Sequence, residues 1–137
     1  MTEIQLEKIK ILSRLKFAEK KIRSLAALKE RDIQRAESFL KGFPDKEDQA
    51  GMKECILQTE RLKKISADNY NDALKEYNLI YEDTMRLIND IPDQQLAETL
   101  RLRYIDDLTW EEIAVRTYYS LRNVKYMHKK ALDMIKI

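Results

Sequence analysis

Apolar residues recur along the first forty positions at intervals of about three and four: Ile4, Ile11, Leu15, Ala18, Ile22, Leu25, Ile33, Ala36 and Leu40, with Lys, Arg and Glu in most of the remaining places. A helix collects such a series on one face, so the pattern predicts an amphipathic helix over about residues 2–41 that approaches a heptad seam. Lys29 and Asp32 interrupt that seam. Segment 42–51, GFPDKEDQAG, combines two glycines, a proline and acidic side chains and reads as a loop. A second run over about residues 50–90 carries Tyr70, Ala73, Tyr77, Ile80, Thr84, Leu87 and Ile91 in the coiled-coil rhythm, preceded by Ile56, Leu62 and Ile65. Two helices of about forty residues, each about 60 Å long and joined by a short loop, predict an antiparallel hairpin.

After Pro92 the pattern shortens. Proline keeps Ile91 out of helical geometry, and Asp93 can cap the next helix, whose Leu96, Leu100 and Tyr104, with Leu108 at its exit, form one wall of a small core. Thr109 followed by Trp110, Glu111 and Glu112 is a capping box, which starts a helix at about Trp110. Asp106 and Asp107 before it suit a turn, because a short carboxylate tolerates left-handed geometry. Ser120 is a second cap, ahead of a cationic, apolar-periodic run to Ile135. Between the two caps there is room only for a helix of seven or eight residues and a short turn, the proportions of a helix-turn-helix. Ile113, Ala114, Val124, Met127 and Ala131 fall on the inward faces, and Trp110 reads as a core anchor. The chain is thus expected to be all-α, with a hairpin arm at 1–91 and a tri-helical module at 92–137.

The stretch LRLRYIDDLTWEEIA…YSLRNVKYMHKKAL resembles the C-terminal domain of phage and prophage late-gene activators of the ArpU and RinA type. It is more distantly similar to the fourth conserved region of bacterial primary sigma factors. The likeness covers about the last forty residues. It implies that the helix after Ser120 enters the major groove, with Arg122, Asn123, Lys125 and Tyr126 near base edges and Lys129 and Lys130 near phosphates. The chain departs from the pattern at Thr117, where an aliphatic is usual, and at Leu121, where a polar contact residue is usual. At Tyr118 such modules carry Gly or Asn. A non-glycine residue at positive φ costs roughly 1–2 kcal/mol, so the turn is expected to be longer than, or shaped differently from, the usual one.

Composition narrows the reading. In 137 residues there are only two glycines and two prolines, against 36% charged and 44% hydrophobic residues, as an all-helical protein requires. The single cysteine, Cys55, excludes an intrachain disulfide, and no signal peptide or membrane-spanning run is recognisable; an intracellular protein of the bacterial cytoplasm is expected. Net charge is only +2, but residues 1–41 hold eleven cations against six anions, residues 42–92 seven against eleven, and the stretch from Ser120 onward five against one. Opposite signs on the two long helices suit pairing between them. Phe17, Phe39, Tyr70, Tyr77 and Tyr81 exceed what one helix pair buries, which points to a homodimer or higher oligomer through the N-terminal helices. The competing possibility is that the C-terminal module folds back over the second face.

Enzymatic motifs are not found. His128 is the only histidine and reads as a surface or packing residue; Glu111 and Glu112 have a capping role and point to different faces; there is no glycine-rich phosphate loop, HExxH or CxxC. No cofactor or metal is expected. The partner expected is double-stranded DNA, read by Ser120, Arg122, Asn123, Lys125, Tyr126, Lys129 and Lys130 in a transcriptional regulator. The alternatives are a sigma-like factor that docks on RNA polymerase, a small-terminase-like packaging protein, or a structural helical assembly factor.

Overall fold

The computed structural model describes residues 1–41 and 49–137, and among the described residues every regular element is a helix. In chain order these are α1 (Glu3–Leu12), α2 (Arg14–Lys41), α3 (Gln49–Asn89), α4 (Gln94–Leu100), a π-helical turn (Arg101–Ile105), α5 (Trp110–Thr117) and α6 (Leu121–Met134). No helix of the described residues is long and apolar enough to cross a membrane. Of the loop expected at 42–51, residues 42–48 lie outside the described residues, while Gln49 to Gly51 already belong to α3.

The first expected helix is divided. Thr2 caps α1 through a reciprocal box with Gln5, and Ser13 separates α1 from α2. The Arg14 Nε–H donates to the Ile11 carbonyl at 3.0 Å, satisfying an acceptor beside the break. A single residue out of register leaves almost no trace in an apolar pattern, which is why the interruption is invisible there.

Two compact units form, one from residues 1–19 and 77–137, the other from residues 20–76. The expected boundary at 91/92 therefore does not separate them. In the first unit Leu12, Ile88 and Ile91, all preceding Pro92, share one core with Leu96, Ala97, Leu100, Met127, Ala131, Leu132 and Ile135. Pro92 does end α3, and the Asp93 carboxylate caps α4 by accepting from the amides of Gln95 and Leu96. The chain turns there without leaving the core. α1 also reaches the far end of the sequence: the Lys8 ammonium donates to the Leu132 carbonyl at 2.9 Å, and Gln5 Nε2 donates to Asp133 at 2.9 Å. A cation on the last carbonyls of a helix satisfies an orphan acceptor and opposes the negative end of the helix dipole.

The second unit pairs α2 with α3 in antiparallel sense, since partners descend one helix as they climb the other. Lys21 meets Glu76 at 3.3 Å, Lys29 lies over the Tyr70 ring at 5.1 Å, and Ser66 donates to Asp32 at 2.7 Å. Lys29 and Asp32 thus do not break the seam; they occupy it and find partners across it. The residues fully enclosed between the two helices are small: Ala36, Thr59, Ser66 and Ala73.

Candidate functional site

The last fifty residues of the chain hold α6 at the surface by local and tertiary means. Thr109 and Glu112 form the expected capping box, each side chain accepting from the other's amide, at 3.2 and 3.3 Å. Ser120 caps α6 by accepting from the Asn123 amide at 3.1 Å, so its hydroxyl is occupied in starting the helix. Between them the turn is short, because Tyr118 adopts the left-handed conformation itself (φ 62°, ψ 18°). The expectation of a longer or differently shaped turn is overturned: the side chain is carried outward, 95% exposed, and the backbone strain is tolerated. Thr117 fits its place because its hydroxyl donates to the Ile113 carbonyl at 2.7 Å. Asp107 is left-handed as well, at φ 55°.

Behind α6, Ile113 and Val124 pack with Leu102, and Met127, Ala131 and Leu132 join the larger core. Leu102 was not foreseen. The amide of Asp106 donates to the Arg101 carbonyl, five residues back, and this wider turn shifts the register so that Leu102 faces inward beside the predicted Leu100.

His128 is 2% exposed, the packing role expected for it, and joins three elements. Its Nε2 and the Tyr104 hydroxyl are hydrogen-bonded at 2.7 Å, and Trp110 meets the imidazole edge-on at 4.6 Å between ring centres. The Arg103 guanidinium covers Trp110 at 4.3 Å and donates to the Leu108 carbonyl. Burial, and then the charges of Arg103 and Lys129, push the imidazole down to about 4, while burial pushes the Tyr104 hydroxyl up to about 12. Both groups are therefore uncharged near neutrality.

On the outer side Arg122, Asn123, Lys125, Tyr126, Lys129 and Lys130 are all exposed, as is Ser120. They do not form one patch. Arg122, Lys125, Tyr126 and Lys129 share an open cleft of about 460 Å³ with Leu121, while Asn123 and Lys130, seven residues apart, lie on the other flank of the helix. Leu121 is the member that the sequence reading set aside; its signal was an apolar residue in the first turn with no inward neighbour to fill. Among the described residues none of Arg122, Lys125, Lys129 and Lys130 is in an ion pair. Asp133, the one anion of α6, is engaged by Gln5.

Like charges three and four apart on a helix repel one another by a few tenths of a kcal/mol per pair. Arg122, Lys125 and Lys129 are so spaced, and Val115 (77% exposed) and Tyr118 add apolar surface at the end of α5 and in the turn. Such a face suits a partner that is both anionic and partly apolar. No protein-family model, curated protein or solved structure matches this chain.

Proposed function

We propose that the chain is a sequence-specific DNA-binding regulator in which α5 and α6 act as a helix-turn-helix and α6 enters the major groove. The observation that carries this reading is the unpaired cationic face of α6, presented outward while its opposite face is locked by Val124, Met127, His128, Ala131 and Leu132. Cations there neutralise phosphates and release counterions, and Arg122 and Asn123 are the side chains suited to guanine and adenine edges. The likeness to phage and prophage late-gene activators favours a regulator in a bacterial cytoplasm.

One module of this size touches few base pairs, and useful selectivity needs two. Self-association through residues 20–76 is the proposed source of the second copy. Leu28, Ile56, Leu57, Leu62 and Ile65 are exposed in that unit, beyond what its own seam buries. The two long helices then serve as a hairpin arm for assembly.

Gel-shift with phage promoter and random duplexes at two salt concentrations tests the proposal. Sequence-selective retention supports a regulator. Uniform, salt-sensitive retention points to packaging or DNA architecture, and no retention to docking on a protein such as RNA polymerase. Replacing Arg122 and Lys125 by Ala is expected to lower the salt slope of log K by about 2. Unchanged selectivity in that variant would remove α6 as the reading helix.

A further inference from the structure

The cleft on α6 has a composition that phosphate contact alone does not explain. Its lining is Leu121, Arg122, Lys125, Tyr126 and Lys129, which places an aliphatic side chain and an aromatic ring among three unpaired cations. Leu121 is 37% and Tyr126 60% exposed, and both stand in the first two turns of the helix. Residues at i, i+1, i+4, i+5 and i+8 fall on one side of a helix, so one ligand group can touch all of them. No carboxylate lines the cleft, so it offers no acceptor for the amino group of cytosine.

We propose that this cleft reads thymine, with Leu121 and the ring of Tyr126 receiving the 5-methyl group in the major groove while Arg122, Lys125 and Lys129 hold the flanking phosphates and base edges. The inference rests on the DNA-binding reading above and deepens it. The charge of the rim selects an anionic polymer, and the apolar floor selects the base whose major-groove edge carries a methyl group. Cations at positions 122, 125 and 129 spread that charge along about two turns of helix, as contact with successive phosphates requires.

The test uses the full chain. Duplexes selected from a random pool are resynthesised with each thymine replaced in turn by deoxyuridine, which removes one methyl group and leaves every hydrogen-bonding atom in place. One or two positions are expected to lose about fourfold in affinity, the worth of one buried methyl-sized group. Leu121→Ala, an exposed change to a better helix former, is expected to bind thymine and uridine duplexes equally well while keeping its salt dependence. Selected sites in which every uridine replacement is silent would overturn the proposal while leaving DNA binding intact. Discrimination that survives in Leu121→Ala would do the same. A chain that retains no duplex at any salt, or that is retained instead by an acidic, leucine-rich peptide, would overturn this proposal and the regulator reading together.

Discussion

The two compact units are built from the same kind of sequence and packed by different means. In the unit of residues 1–19 and 77–137, the largest enclosed side chains include Leu12, Leu15, Ile88, Ile91, Leu100, Ile113 and Leu132. In the unit of residues 20–76 the enclosed side chains are two alanines, a serine and a threonine, and the leucines and isoleucines stand outside. Burying a large aliphatic side chain is worth about 1.5–3 kcal/mol, whereas an alanine contributes little. The first unit therefore has its own core. The second has a narrow, close-fitting seam and an apolar exterior.

The sharpest way to break that contrast is a matched pair of truncations. Leu100→Ala is expected to cost about 2–5 kcal/mol in denaturant unfolding, while Leu62→Ala, at an exposed position, should leave the monomer within about 0.5 kcal/mol. A concentration-dependent penalty at Leu62 would mark a second copy seated there. Acid probes the first unit alone. His128 titrates near 4 when folded and near 6.5 when unfolded, so the unfolded chain binds the extra proton between those values. Stability on the order of 3 kcal/mol should be present above pH 6.5 and lost as pH falls towards 4. Melting curves of wild type and His128→Phe across that window check this, the variant being flatter.

In the second unit, Asp32→Ala removes the acceptor of the Ser66 hydroxyl and is expected to cost about 1 kcal/mol, a modest effect for a half-exposed pair. Calorimetry that found no change would mean that this polar pair contributes only to register. The smallest effect is a gain. Tyr118→Gly relieves left-handed strain and should raise stability by up to about 1 kcal/mol, offset in part by the greater freedom of glycine when unfolded.

Local signals were legible in the sequence and distant ones were not. The caps at Asp93, Thr109 and Ser120 and the outward face of α6 depend on residues within a turn or two of one another, and all can be read from spacing. Asp32 and Lys29 look like interruptions because their partners, Ser66 and Tyr70, lie on another helix. The break at Pro92 is a true end of helix, yet a proline says nothing about which side chains meet across it. Leu102 was hidden by a π turn that no three-and-four periodicity encodes. Tyr118 shows the reverse error: the strain was inferred correctly, but the chain bears it instead of rebuilding the turn.

The ammonium of Lys8 on the carbonyl of Leu132 has a consequence for biosynthesis. A ribosome makes α1 early and α6 more than a hundred residues later, with the whole of the second unit in between. Domains that fold as they emerge keep early contacts local. Here the better-cored unit closes only when its oldest and newest segments meet, so the intervening helix pair is free to form while the rest is still waiting for its final strip of core.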